Sequence, residues 1–269
     1  MPNKLISILS IAGSDPTAGA GIQADIKTGV SLGIHVLTAV TSVTIQNSKG
    51  LYSIGNVSPK SLEGQLNAIL SDVIPDAVKI GMIGSKDNLK VIVDFLNSIP
   101  GRIPIVLDPL INASSNGKVL SKTKNLKELI TLYKHYLFPL VDVMIPNKSE
   151  LNIYLENKKN DYKDLKVIRE NLNVKNLIVT NGDSLCICDY LVSSEEIFSY
   201  THSRISCPNL HGTGCVYSTL ITCYLALGHT LEKAFRLANE RINDIIVRSC
   251  DYILGNSSYG PLNINKYYL

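Results

Sequence analysis

The segment Asn209-Leu-His-Gly-Thr-Gly-Cys215 runs into an apolar stretch, Val216 to Leu227, with the length and period of a helix. Gly212 and Gly214, two positions apart, let the backbone turn so that several N–H groups point one way. The free N–H groups of the helix start add to them. Together Gly212, Thr213 and Gly214 form a hole for an anion, suited to a phosphoryl group in transfer. Cys215 falls in the first helical turn, where the same field is expected to lower a thiol pKa from ~8.5 towards neutrality and make it a proton acceptor. Cys186, Cys188, Cys207, Cys223 and Cys250 lack that setting and read as core or surface thiols. His202 and His211 show no metal-ligand spacing with Cys207 or Cys215.

A second glycine-rich stretch, Ala12 to Gly21, joins the first strand to the first helix. Gly19-x-Gly21-x-x-Ala24 fits the dinucleotide fingerprint, but that fingerprint needs an acid ~20 residues further on to hold a ribose. The first acid after Asp25 is Glu63, and the second strand ends in Thr44-Ile-Gln-Asn47. A nicotinamide cofactor is therefore disfavoured, and no G-x-x-x-x-G-K-[ST] phosphate loop occurs. What remains is a loop at the carboxyl end of a strand, where open α/β sheets bind ligands. Asp25 offers an acceptor there, or simply a favourable charge near a helix start.

These residues need a scaffold. Apolar runs at Leu5–Ile11, Val36–Thr44, Ala77–Ile80, Ile103–Leu107, Val141–Ile145 and Leu177–Thr180 read as strands, mostly continuous rather than alternating, as in a parallel sheet covered on both faces. Helices are expected at Ile22–Leu32, Ser61–Ser71, Lys86–Leu96, Asn125–Lys134, Ser149–Leu155 and Tyr162–Leu172. The alternation gives right-handed βαβ units and an α/β layer fold. Near the end, Leu185–Asp189 and Glu196–Tyr200 suggest an antiparallel pair, followed by two helices whose core-facing stripes run from Val216 to Leu227 and from Leu231 to Ile245.

With 269 residues, 45% hydrophobic and 18% charged, the chain can bury a sizeable core and is unlike a disordered polymer. A net charge of +3 gives no strong basic field, so nucleic acid is not an expected partner. No linker-like composition or repeat divides residues 1–269, which read as one domain. The six cysteines include no C-x-x-C pair and point to a reducing, cytoplasmic setting. The N-terminal apolar run reads as a strand rather than a leader, and Val216–Leu227 is too short to span a membrane.

Six motifs then occur in order: Ile11-Ala-Gly-Ser-Asp-Pro-x-x-Gly-Ala-Gly-Ile-Gln-Ala-Asp25-x-Lys27-Thr28, Thr38-Ala-Val-Thr-x-x-x-x-Gln46-Asn47, Lys79-Ile-Gly-Met82, Leu107-Asp-Pro109, Pro146-Asn147-x-x-Glu150 and His211-Gly-Thr-Gly-Cys215. In these the chain resembles the hydroxymethylpyrimidine/phosphomethylpyrimidine kinases of thiamine biosynthesis, in the ribokinase-like superfamily. Gly260-Pro261-Leu262 is similar to the family's closing turn. The resemblance implies a three-layer αβα sandwich around a mostly parallel sheet. It implies transfer of the ATP γ-phosphate to 4-amino-5-hydroxymethyl-2-methylpyrimidine, then to its monophosphate.

By that resemblance Gly13, Asp25, Thr44, Gln46 and Met82 line the pyrimidine pocket, and Cys215 takes the hydroxyl proton. The Gln46 carboxamide has the donor and acceptor that an aminopyrimidine edge needs. Asn147, Thr180, Gly182 and Thr213 would meet ATP phosphates, and Asp108 and Glu150 would contribute to Mg²⁺. A homodimer is a family expectation. Four departures stand out: Ala113 to Gly117 lacks the usual lysine, implying altered closure over ATP; Thr180-Asn181-Gly182 replaces Lys-Gly-Gly; Ala18 replaces Gly; and Thr44 replaces an apolar residue. Two alternatives stay open: a pyridoxal or pyridoxine kinase, and a pyrimidine- or nucleotide-binding protein that has lost turnover.

Overall fold

A computed structural model describes residues 4–110, 126–155, 164–181, 186–254 and 259–264. Among these residues nine strands make one sheet: β1 (Ser7–Ser14), β2 (His35–Asn47), β3 (Gly50–Asn56), β4 (Ala77–Ile80), β5 (Ile105–Leu107), β6 (Val143–Met144), β7 (Leu177–Val179), β8 (Cys186–Val192) and β9 (Ile197–Ser203). Their order is β3-β2-β1-β4-β5-β6-β7-β8-β9. The strands from β2 to β7 pair in parallel, while β3, β8 and β9 join antiparallel at the edges.

Among the described residues, eight α-helices accompany the sheet: α1 (Gly21–Ser31), α2 (Pro59–Leu70), α3 (Lys86–Ser98), α4 (Leu126–Leu132), α5 (Lys148–Tyr154), α6 (Leu165–Leu172), α7 (Thr213–Ala226) and α8 (Leu231–Arg248). Ser58, Ser85, Asp164 and Thr230 cap the starts of α2, α3, α6 and α8 with side-chain oxygens, satisfying N–H groups that the helices leave free.

Side chains that alternate along each strand serve two cores. Leu9, Ile11, Val78, Ile80, Leu107, Met144, Leu177 and Val179 pack with α2 to α6. Val106, Val143 and Ile178 pack with α1, α7 and α8 on the opposite face. This is the expected three-layer αβα sandwich.

The sequence pattern misplaces some features. β3 was not anticipated, because its residues are half-buried or exposed and carry no apolar run. α7 has no single stripe: every residue from Cys215 to Cys223 is buried, since the helix lies between the sheet, α1 and α8. Leu227, placed on a core stripe, is exposed at that helix's end. Among the described residues, no helix is long and apolar enough to cross a membrane.

Candidate active site

From β1 the chain moves to one side through β2 and later returns to the other side through β4, so the carboxyl ends of β1 and β4 flank a reversal of strand order. Open α/β sheets leave a crevice at such a point. A pocket lies there, lined among others by Gly13, Thr44, Gln46, Lys79, Met82, His211 and Cys215. Four of the five residues expected to hold the pyrimidine thus converge with Cys215, although the chain separates them widely.

The fifth, Asp25, is placed differently. Its side chain is fully buried and forms an ion pair with the equally buried Lys79, whose Nζ lies 3.0 and 2.9 Å from the two carboxylate oxygens. Ser10 Oγ donates to Asp25 at 2.5 Å and Thr219 Oγ1 at 2.7 Å. The carboxylate therefore lies behind the pocket lining and ties β1, α1, β4 and α7 together. Lys79 itself reaches the lining. Burial alone would depress the Lys79 ammonium, but the charge of Asp25, with Cys215 and Asp108 beyond it, holds its pKa well above the ordinary value. The motif Lys79-Ile-Gly-Met82 includes this lysine without giving it a role; a charge inside the apolar run Ala77–Ile80 is the signal that points to one.

The rim of the pocket is fastened by Asp15. Its carboxylate accepts from the Thr17 and Ala20 N–H groups, the Thr17 hydroxyl and His211 Nε2. The loop after β1 thereby docks on the turn before α7. That docking requires glycine at 212, whose φ is 87° and whose added Cβ would lie 1.8 Å from the Gly19 carbonyl oxygen. The first-turn N–H groups at Gly214 and Cys215 lack helical acceptors by position. Thr213 turns its hydroxyl back to Leu210 O at 2.7 Å.

The expected lowering of the Cys215 pKa is corrected. The thiol is buried, and burial pushes it up to about 12, against the lowering charge of Lys79 and with Asp108 and Asp25 adding to the rise. Loss of water around the first turn of α7 outweighs the field of the helix start.

Asp108 follows β5 and lies beneath the turn: a Cβ at Gly214 would stand 3.9 Å from its Oδ2, and Ser218 Oγ donates to it at 3.2 Å. Burial raises the Asp108 pKa, with Lys79 opposing. Glu150 is buried in α5 and completes a capping box with Asn147, each side chain accepting from the other residue's N–H. Burial, and then the charge of Asp108, push Glu150 up to about 8. Asp108 and Glu150 are buried carboxylates, the charge of the first raising the second, and such hard-oxygen donors fit Mg²⁺ with water or phosphate oxygens completing its shell. Among the described residues, no three His, Cys, Asp or Glu side chains cluster as a closed metal site. Thr180 bridges to Asn147 across the adjoining strand ends, which brings these two together. Gly182 and the Ala113–Gly117 loop lie outside the described residues.

Comparison with known proteins now bears on this geometry. The model of the phosphomethylpyrimidine kinase family matches residues 15–263. The chain belongs to the phosphomethylpyrimidine kinase family. Its fold is ribokinase-like. A hydroxymethylpyrimidine/phosphomethylpyrimidine kinase of Staphylococcus aureus is 32% identical over 262 residues, covering 95% of this chain and 92% of that protein. The thiamine biosynthetic bifunctional enzyme TH1 of Arabidopsis thaliana is 30% identical over 267 residues, covering 97% of this chain and 50% of that protein. The chain thus spans about half the length of this plant relative.

Among solved structures, the phosphomethylpyrimidine kinase of Clostridium difficile superposes with a TM-score of 0.74 at 32% identity, covering 89% of this chain and 98% of that chain. The pyridoxal kinase of S. aureus in complex with ADP gives 0.84 at 25% identity, covering 97% of this chain and 94% of that chain. Within the family frame, the Asp15–His211 link is a feature that motif spacing did not assign, because its partners come from opposite ends of the chain.

Proposed function

We propose that the chain transfers the γ-phosphate of ATP to the hydroxymethyl group of 4-amino-5-hydroxymethyl-2-methylpyrimidine, and then phosphorylates the monophosphate to the pyrophosphate. The observation that carries this reading is the convergence of Gly13, Thr44, Gln46 and Met82 on one pocket with Cys215. It is supported by the family membership and by the ADP complex of the related S. aureus kinase.

In this reading Gln46 reads the aminopyrimidine edge, and Gly13 and Met82 bound the flat ring. Thr44 holds its hydroxyl on Ser14 O at 3.0 Å, which keeps the pocket wall in place. Asp25 acts through Lys79 rather than by touching the ring. Asn147 and Thr180 belong to the ATP side, and the N–H groups of Gly214 and Cys215 hold the phosphoryl in flight, the Thr213 N–H being given to Leu210 O. Magnesium at Asp108 and Glu150 would supply positive charge to the phosphate oxygens.

The substrate hydroxyl oxygen forms the new P–O bond, the bond to ADP breaks, and the hydroxyl proton passes to Cys215 Sγ. With burial holding that thiol protonated, the Lys79 charge and the start of α7 are the groups that favour the thiolate needed to receive it. Phosphoryl transfer asks mainly for positioning and charge, so the proton acceptor is one contribution among several.

The structural likeness to pyridoxal kinase favours one second reading, since pyridoxal also presents a hydroxymethyl group on a flat nitrogen ring. ATP consumption with the hydroxymethylpyrimidine, its monophosphate, pyridoxal and ribose separates them. Turnover on the pyrimidines, with a loss of about 10²-fold or more in kcat for Cys215→Ala, is expected. Preference for pyridoxal moves the assignment to that kinase, and ATP-dependent binding without turnover on any substrate leaves a binding protein. A homodimer in a reducing compartment is part of the same proposal.

A further inference from the structure

Two thiols outside the pocket are neighbours. Cys207 lies between β9 and α7, four positions before His211, and Cys250 follows the end of α8; both are free and half-buried. Cys250 Sγ reaches the peptide group that joins Ser206 to Cys207. Cys250 Sγ also lies 3.2 Å from Ile246 O and 3.7 Å from Ser206 O, while Cys207 Sγ lies 3.8 Å from Asn209 O.

The two backbone segments are held together independently of the sulfurs. Asn209 is buried and its Nδ2 donates to Ser249 O at 2.6 Å and to Tyr252 O at 2.7 Å. Asn263 N adds a bond to Ser249 Oγ at 2.8 Å. Cys207 and Cys250 therefore sit on the two segments of a joint that other groups maintain, with Cys250 Sγ already against the carbonyl that precedes Cys207. Cys215 and Cys223, by contrast, are 6% and 0% exposed, beyond the reach of a water-borne oxidant.

We propose that Cys207 and Cys250 form an oxidisable pair that closes into a disulfide when the folded protein meets a peroxide. The Cys207 thiolate attacks one peroxide oxygen, the O–O bond breaks, and a sulfenic acid and water form. Cys250 sulfur then attacks the sulfenic sulfur, the S–S bond forms, and the sulfenic oxygen leaves as a second water with the remaining protons. Two thiols and one hydrogen peroxide become one disulfide and two waters. Burial and the charge of Asp251 push the Cys250 thiol up to about 11, which suits Cys250 to the resolving step. The bond would pin the segment that enters the Gly212–Cys215 turn to the end of α8, and it stands whether or not the pyrimidine reading does.

The test treats the folded full chain with hydrogen peroxide, quenches it with an alkylating reagent and maps non-reduced peptides by mass. A Cys207–Cys250 cross-linked peptide, two hydrogens lighter than its reduced parts and released by dithiothreitol, is expected. It should come with a raised Tm, because the bridge closes a long loop of the unfolded chain. Cys250→Ser is expected to abolish both the link and the Tm rise, and to leave Cys207 trapped as a sulfenic acid by dimedone. Separate oxidation of the two sulfurs without a link in the native chain, or a link that forms only in urea, overturns the proposal.

Discussion

His211 Nε2 stands 2.8 Å from Asp15 Oδ2, a bond between residues 196 positions apart that fastens the loop after β1 to the turn before α7. An ionised Asp15 only accepts, so the Nε2 proton points to it. Nδ1 is buried and has no hydrogen-bond partner among the described residues, so the bond to Asp15 and the ring contact with Tyr259 orient the imidazole. Because the link positions the pocket wall and touches no proposed reacting atom, His211→Ala is expected to raise KM for the pyrimidine more than it lowers kcat. Cys215→Ala should do the reverse, and steady-state kinetics of the two variants check the split.

The same carboxylate gives an acid limb to stability. Burial pushes Asp15 up, but hydrogen bonds from His211, Gln46 and Thr17 more than offset it and hold the carboxyl well below the ordinary value. A folded pKa below the unfolded one, ~3.9, means that the native state binds fewer protons in acid. The stabilisation is fully present above pH ~4 and is lost as pH falls from there towards the folded value. Denaturant unfolding of Asp15→Asn between neutral and acid pH is expected to show lower stability at neutrality and a shallower decline below pH ~4 than the parent; parallel curves would remove Asp15 from this role.

Lys79 and Asp25 are both wholly buried, and each single replacement strands the other's charge. Lys79→Met or Asp25→Asn is expected to cost about 3–5 kcal/mol of unfolding free energy where a charge is left uncompensated. The double variant should recover part of the loss, because no lone ion remains and the Asn carboxamide can accept from one of the Ser10 and Thr219 hydroxyls and donate to the other. A double-mutant cycle by urea unfolding measures the coupling.

This pair marks the boundary of what the chain alone discloses. Continuous apolar runs place the parallel strands because both faces of the sheet are covered, and Ala77–Ile80 coincides with β4. They miss β3, whose exposed, mixed residues obtain their conformation from pairing with β2 rather than from burial. Motif order brings Gly13, Gln46, Met82 and Cys215 to one pocket, yet leaves Asp25 as an apparent ligand, since only the fold shows that Lys79, 54 positions on, occupies its carboxylate. The Cys215 thiol departs from the sequence expectation for a related reason: the helix start is local and readable, while burial and two nearby carboxylates are tertiary.

Ala18 and Gly212 test backbone geometry in opposite directions. Ala18 has φ of 56°, a left-handed conformation that costs an ordinary residue roughly 1–2 kcal/mol and explains why glycine suits that position. Ala18→Gly relieves that strain while adding about 0.4–1 kcal/mol of unfolded-state entropy, so a small net gain in Tm is expected. Gly212→Ala adds a left-handed penalty to a Cβ 1.8 Å from a backbone oxygen, and should lower both Tm and turnover sharply. Gly33→Ala is the control: its φ is 74°, but nothing lies within 4 Å of the added carbon, so only the conformational penalty remains. A fall in Tm for Gly212→Ala no larger than for Gly33→Ala would show that the turn moves away from Gly19 at little cost.

Glu150 combines two tasks that substitution can separate. Its side chain accepts from Asn147 N at 3.0 Å as part of the α5 cap, and its charge is the one proposed to favour a divalent cation beside Asp108. Glutamine retains a carbonyl acceptor for the cap and discards the charge. Glu150→Gln is therefore expected to leave Tm close to the parent while moving the Mg²⁺ midpoint for ATP turnover to higher concentration. Asp108→Asn should move that midpoint further, because Asp108 also lies beneath the Gly214 turn. Magnesium titrations of chelator-treated enzyme supply the measurement. An unchanged midpoint in both variants would assign the two carboxylates to the scaffold alone, with Glu150 as a cap and Asp108 as the acceptor for Ser218.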